Sequence, residues 1–399
     1  MSMSSENRRS WEIQSSTGSH FRVLDGLRGA AILLVVSYHT FYTNPAHDGL
    51  AAQLAGYVIS AGWMGVPIFF GLSGFLISYP FFQKRVDNPQ FWYQRGYASR
   101  RLAKILPPFY LSIILFLGFY WWQFHDPAYF KSAGLWATGL AHFVTIPVPF
   151  NLSYWSLIVE AHFYIMLPLL FWITRGWDTS RTTLGIFAIL FSVPLLLRCI
   201  AWPANLQVIP PFPDPVQKLM EGRLGQFPRM LDYFSWGVLF AGIYAGIEKS
   251  RELLRPLSLL GYGGGLLMVS LLLFWGYWEN QYGIRACPTR WSTELSHWLP
   301  GLAALLLLFF VFDEHSLGAR FLGSAPLRFT GIISYEWFLF HGPVVNWFQT
   351  HGPTHANGNV LIYGWRTFLP LALTFGFSVL VYRYFSLPIL NRVRQSLRR

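Results

Sequence analysis

The feature that most constrains this 399-residue chain is a series of apolar stretches, most of them as long as a helix that crosses a bilayer. They run over 24–43, 61–83, 105–124, 132–150, 154–173, 183–202, 229–247, 257–278, 297–312, 329–349 and 366–387. A transmembrane helix needs about 20 such residues. The composition leaves little room for a soluble alternative: charged residues are 12%, whereas a soluble domain carries about 25%. The aromatic fraction of 19% suits the two interfacial belts of a membrane protein. The expected fold class is therefore an all-α integral membrane protein. It is a polytopic helical bundle of about ten transmembrane helices, with eleven as the alternative.

Charge decides between those counts. The formal net charge is +12. The stretch 132–150 is the doubtful span, because it carries His142, Pro147 and Pro149. If it does not cross, both termini are cytoplasmic. Lys84, Arg85, Arg95, Arg100, Arg101 and Lys104 then fall inside, with most other basic residues. That is the positive-inside bias. If it crosses, the bias weakens. We therefore expect 132–150 to be re-entrant or to lie on the outer face. The excess positive charge is then topological and requires no nucleic acid. Residues 1–20 are expected to be a disordered cytoplasmic tail, 21–390 the membrane domain, and 391–399 a basic cytoplasmic tail. The proline-rich segment 203–228 is expected to form a lip over the outer face. With only Cys199 and Cys287 present, a disulfide framework or cysteine metal site is excluded, and a single bridge between them is conceivable.

Polar residues inside apolar spans are functional candidates, because a charge near the bilayer centre costs about 2.5–3.5 kcal/mol. Arg28 and His39 share the first span. Eleven residues correspond to about 16.5 Å of helical rise and leave the two within roughly 20° of one another around the helix. One face thus carries a cation near the cytoplasm and an imidazole near the outside, although snorkelling and interfacial placement explain the pair equally well. Asp25 is read as an N-cap of this helix. Glu160 lies in the outer half of its span, with Ser156 and Tyr164 four residues to either side. His341 falls in the outer half of 329–349, with Ser334 seven residues earlier on the same face and Glu336 about 140° away. Three titratable groups at one depth, on three spans, are more telling than any one of them. Gly71 and Gly74 suit close helix packing, and Pro67 a kink that frees a backbone carbonyl.

The ordered set of motifs resembles the acyltransferase 3 family of membrane O-acyltransferases. It comprises Leu24-Asp25-Gly26-Leu27-Arg28-Gly29 with His39, Gly65 to Ile77 ending in Leu72-Ser73-Gly74-Phe75-Leu76-Ile77, and Arg100-Arg101-Leu102-Ala103-Lys104. Tyr154-Trp155-Ser156-Leu157 with Glu160, Phe163 and Tyr164 follows, then Ile333-Ser334-Tyr335 with His341. Lys104 stands where the family usually has an arginine, Pro67 where an acidic residue is common, and Ser386-Leu387-Pro388 lacks the usual acidic residue. The chain is expected to be a stand-alone membrane module of the cytoplasmic membrane, without the family's fused esterase-like domain.

The resemblance implies transfer of an acyl group, usually acetyl, from acyl-CoA as co-substrate to a hydroxyl of a carbohydrate, envelope or small-molecule acceptor, with no metal. It implies Arg28, Arg100, Arg101 and Lys104 for the coenzyme A phosphates and His39 as general base. Glu160 would orient His39 or hold the acceptor, with His341, Trp155 and Ser334 on the acceptor side. The rival class is a proton-coupled transporter or flippase, built from the same embedded residue types. The charge distribution yields a direct test of topology. Reporter fusions should place 44–60 and 203–228 outside and 84–104 inside, and a cytoplasmic signal from 203–228 would mean that 132–150 crosses.

Overall fold

The computed structural model describes residues 21–40, 50–93, 96–142, 147–148, 150–151, 153–205, 230–247, 254–282, 290–351 and 364–398. Among these residues the regular structure is entirely helical. In chain order the helices are α1 (Arg22–Thr40), α2 (Leu50–Ser60), α3 (Gly65–Asp87), α4 (Tyr97–Phe124), α5 (Ala128–Ala137), α6 (Tyr154–Ile173), α7 (Thr179–Asn205) and α8 (Leu231–Ile247). They continue with α9 (Leu259–Tyr282), α10 (Arg290–Leu308), α11 (Leu317–Leu322), α12 (Ala325–Ile332), α13 (Ser334–His351), α14 (Leu369–Val381) and α15 (Leu387–Arg398). Two π-helical segments, Gly364–Phe368 and Tyr382–Ser386, bracket α14.

By length and composition, six helices among the described residues are able to cross a membrane: Gly62–Asp87, Tyr97–Phe124, Tyr154–Ile173, Thr179–Leu197, Leu254–Tyr282 and Trp365–Leu397. The apolar helices Leu231–Ile247 and Trp298–Phe312 are shorter. The count of about ten from the sequence is thus met only in part. Helices α1 and α13 fall outside the six; α1 carries Asp25, Arg28 and His39, and α13 is polar along its length, with Glu336, His341, Asn346, Gln349 and His351. The stretch 132–150 forms no continuous helix. Helix α5 has ten residues, a rise of about 15 Å, and a short 3₁₀ turn, Leu140–His142, follows. Helix α7 runs to Asn205; the rest of the proline-rich segment, the Cys199–Cys287 pairing and the 1–20 tail lie outside the described residues. The basic C-terminal tail is helical, since α15 continues through 390.

Three local expectations are corrected. Asp25 is not an N-cap. Helix α1 begins at Arg22, so Asp25 sits in its first turn, where the amide of Asp25 already bonds to Phe21 O and the carboxylate faces the positive end of the helix dipole. Pro67 lies in the first turn of α3, directly after the 3₁₀ turn Gly62–Met64, rather than at a mid-span kink; a proline is tolerated at that end of a helix. The span 329–349 is broken at Ile333 into α12 and α13.

Two apolar clusters make the core, and α1 belongs to both. Val23, Leu24, Leu27 and Ala31 pack with α3, α6, α8, α9 and α10. Ile32, Val35 and Val36, further along the same helix, pack with α4, α5, α6 and α13. Backbone contact fixes α1 in place. A Cβ on Gly26 would strike the carbonyl of Leu322, one on Gly29 that of Leu327, and one on Gly331 that of Asp25. On the other side, a Cβ on Gly65 would strike the Ala31 carbonyl. The packing expected of Gly74 is also present, against the Phe234 carbonyl of α8. These are the small-residue approaches that membrane helices use in place of a hydrophobic driving force.

The cost of overpacking a core is about 1–3 kcal/mol and rises when backbone rather than side chain must yield. Gly29→Val should therefore abolish the monodisperse peak and the cooperative thermal transition in detergent. Gly118→Ala, which has open space around it, should leave the melting temperature unchanged or slightly raised.

Candidate active site

Where α1, α3, α6 and α13 meet lies a partly enclosed space of about 540 Å³, open solvent included. Its walls include Val66, Phe69, Phe70 and Leu157, with Ser156 and Ser334 as polar points. A second chamber of about 460 Å³ adjoins it and is lined by Arg101, Lys104 and Tyr164. Arg28, Ser73, Leu76, Glu160 and Tyr335 line both. The result is one passage with a cationic end and an apolar end.

Each polar side chain is placed by its own helix. Arg28 reaches from α1 and donates to the buried hydroxyl of Ser334 at 3.4 Å. Arg101 lies over the Tyr164 ring at 5.8 Å and donates to the Leu76 carbonyl at 3.4 Å. Pro107 and Pro108 lie inside α4 and deprive the Ala103 and Lys104 carbonyls of helical donors. One residue on, the Tyr335 hydroxyl donates to the Ile105 carbonyl at 2.8 Å, tying α13 to α4. Glu160 accepts hydrogen bonds on the same carboxylate oxygen from Ser73 and from Tyr164. Among the described residues no ion pair within 4 Å joins Glu160 to Arg28, Arg101 or Lys104. Lys104 nevertheless lies in the fields of Arg28, Arg101, Glu160 and Glu336.

The two histidines meet at the far end of α1. His341 is fully buried and His39 is exposed. His341 Nε2 is 3.3 Å from His39 Nδ1. His39 Nδ1 is also 2.9 Å from the Val35 carbonyl. His341 Nδ1 is 2.9 Å from the Phe338 carbonyl and 3.1 Å from that of Trp337. The Phe338 ring stands between this pair and the passage, lining the cavity on one side and lying 5.7 Å from the His341 ring. A third proline explains the seat of α13. Pro343 leaves the Leu339 carbonyl without its helical donor, and Asn151 Nδ2 supplies one at 2.9 Å. That bond docks the start of α6 beside the histidines.

Of the three groups expected at one depth, His39 and His341 join each other, whereas Glu160 lines the chambers with Arg28 and its hydrogen bonds go to Ser73 and Tyr164. Ser334 belongs to the Arg28 end, two helical turns from His341. Arg100 is half-buried and lines neither chamber, and Arg95 is outside the described residues. Trp155 packs edge-on against Phe70, with ring centres 6.3 Å apart, and is not among the lining residues. Ser73 was read from sequence as part of a packing motif; nothing in spacing separates a packing serine from a carboxylate partner on another helix. Glu336 is buried near Ser386, with Lys104 and Arg28 as its charged neighbours.

Long apolar helices enclosing adjoining cationic and apolar chambers define a multi-pass membrane protein. The profile of the acyltransferase 3 family, described as an acyltransferase domain, matches residues 21–383. The chain belongs to that family of membrane acyltransferases. It is 23% identical to the peptidoglycan O-acetyltransferase OatA of Listeria monocytogenes over 397 residues, covering 92% of this chain and 55% of the relative. It is 22% identical to the O-acetyltransferase OatA of Staphylococcus aureus, covering 92% and 56%. The putative peptidoglycan O-acetyltransferase YrhL of Bacillus subtilis is 24% identical, with 92% and 54% covered. The chain thus spans little more than half the length of these relatives. No solved structure matches it.

The arrangement around Glu160 predicts non-additivity. Ser73→Ala and Tyr164→Phe each remove one donor from a half-buried carboxylate, a loss of about 1–3 kcal/mol for a charged hydrogen bond. Either variant alone should lower thermal stability modestly. The double variant should lose clearly more than the two shifts added, as read by thermal unfolding in one detergent.

Proposed function

We propose that this chain is an O-acetyltransferase of the cytoplasmic membrane, moving an acetyl group from acyl-CoA to a hydroxyl of a carbohydrate acceptor. The observation that carries the reading is a pair of adjoining chambers, one lined by Arg28, Arg101 and Lys104 and the other mostly apolar, whose wall residue Phe338 packs on His341, the neighbour of His39. Phosphates of a coenzyme suit the cationic end, and a thin pantetheine arm suits an apolar passage. The relatives named as peptidoglycan O-acetyltransferases support a cell-wall sugar as acceptor.

In this mechanism Arg28 and Lys104 hold the donor and His39 is the general base. The acceptor hydroxyl gives its proton to His39 while its oxygen forms a bond to the thioester carbon. The carbon–sulfur bond then breaks, and the departing thiolate takes a proton from the imidazolium, so the protein ends as it began. His is suited to this work because its ordinary pKa lies near neutrality. Glu160, held by Ser73 and Tyr164, lines both chambers and would hold the acceptor.

The test uses purified protein in lipid, with acetyl-CoA affinity and acetyl transfer measured separately. Arg28→Ala should weaken acetyl-CoA binding at least tenfold, and Lys104→Arg should be tolerated. His39→Ala should leave that affinity within about twofold and lower turnover by about 10²–10⁴, the worth of a positioned base. A His39→Ala protein keeping more than a tenth of wild-type turnover would overturn the base assignment, and unaltered acetyl-CoA binding by Arg28→Ala would overturn the donor site.

A further inference from the structure

Three residues in a row open α13 after the break at Ile333, and each has its own partner. Ser334 accepts from Arg28 at 3.4 Å, and the Tyr335 hydroxyl donates to the Ile105 carbonyl of α4 at 2.8 Å. Glu336 is buried and lies outside the residues that line either chamber, whereas Tyr335 lines both. Successive helical residues differ by about 100° in direction, so the carboxylate stands behind the wall that Tyr335 presents. Glu336 is in the first turn of α13, where its own amide bonds to the carboxylate and the helix dipole favours a negative charge. Ser386 Oγ stands beside it, buried and without a closed hydrogen bond.

Lys104 is next to Ile105 in the chain, so the Tyr335–Ile105 bond brings Lys104 and Glu336 to the same crossing of α4 and α13. Lys104 lines the cationic chamber. Its charged neighbours are Arg28 and Arg101, which repel it, and Glu160 and Glu336, which attract it. Among the described residues Lys104 makes no side-chain hydrogen bond and no ion pair within 4 Å. Its place is therefore set by the surrounding charges rather than by contact. The two carboxylates are not equivalent. Glu160 lines both chambers and already accepts from Ser73 and Tyr164; an ammonium drawn to it alone would lie across the space a ligand needs. Glu336 attracts from outside that space.

We propose that Glu336 is a positioning residue that acts through Lys104: from behind the chamber wall its carboxylate holds the ammonium against the repulsion of Arg28 and Arg101, and the chamber stays free for a phosphate. This rests on the reading of that chamber as the donor site, and it adds to the site a residue that touches no ligand. A buried cation needs a counter-charge or withdraws toward water. Of the two counter-charges, the one outside the chamber is not displaced when an anion enters. Simple repulsion predicts the opposite sign: an anion near a phosphate site weakens binding, and its removal strengthens it. The direction of the effect therefore separates positioning from mere proximity.

The test measures acetyl-CoA affinity, turnover and thermal unfolding of purified protein in lipid. Glu336→Gln should weaken acetyl-CoA binding about fivefold, within the span of a coupled pair. Turnover at saturating acetyl-CoA should stay within about twofold, the signature of lost binding rather than lost chemistry. In a Lys104→Met background the same change should do nothing further. Exchanging the two neighbours, Glu336→Ser with Ser386→Glu, returns a carboxylate to the same spot and should recover most of the affinity. Tighter or unchanged binding in Glu336→Gln would overturn the proposal, as would an undiminished effect in the Lys104→Met background. If Glu336→Gln alone does not fold, the double variant, which removes both charges, is compared with Lys104→Met: equal affinity supports the proposal and a further loss overturns it. Thermal unfolding gives a readout that needs no donor. The double variant should lose less stability than the two single variants added, and additive losses would overturn the pairing. Failure of the donor reading shows separately, as wild-type protein that does not bind acetyl-CoA while the unfolding data still couple Glu336 to Lys104.

Discussion

Backbone-to-backbone contact along α1 is the constraint on which the site depends. Gly26 and Gly29 rest on the carbonyls of Leu322 and Leu327, and Gly331 returns the contact at Asp25. With no side chain between them, α1 and the α11–α13 segment are held at a separation set by hard atoms. Arg28 can then reach Ser334, and His39 can reach His341. The two pairs are eleven residues apart on α1 and seven on α13. That difference of four residues is about 6 Å of helical rise, within the reach of the arginine side chain.

The second constraint is the cost of unsatisfied polar groups where water is scarce. Prolines create such groups by removing donors, and the structure docks side chains on a carbonyl freed in this way or on one beside a proline step. Asn151 reaches the Leu339 carbonyl left open by Pro343. Tyr335 binds the Ile105 carbonyl beside the Pro107–Pro108 step. Each bond joins segments far apart in the chain, so the helices that line the passage are linked by polar bonds where apolar packing alone would permit sliding. Arg85 does the same at another corner, buried and donating to the carbonyls of Phe91, Phe171 and Thr174.

The passage itself is defined by an unequal division of charge. Arg28, Arg101 and Lys104 line it with Glu160 as their counter-charge, and Glu160 is already engaged by Ser73 and Tyr164. The surplus of cations over anions there is the feature on which the proposed donor site rests, and the apolar end is bounded by Phe69, Phe70 and Phe338.

Much of this was legible in the sequence. Apolar stretches of membrane-crossing length and a charged fraction too low to coat a soluble surface determined a helical membrane protein, because both follow from local composition. The Arg28–His39 spacing placed both residues on one face, because helical periodicity is also local. The flanking of Glu160 by Ser156 and Tyr164 at four-residue intervals likewise survived into the structure. What the sequence by itself did not determine was which faces meet. Glu160 pairs with Ser73, a residue of a motif that spacing assigns to packing; His341 meets His39 from a distant helix; and the break at Ile333 hides within an apolar run. These facts depend on the rotation and separation of helices distant in the chain. The rotations are settled by glycine contacts and by carbonyls that only a distant side chain can satisfy, so only the tertiary structure decided them.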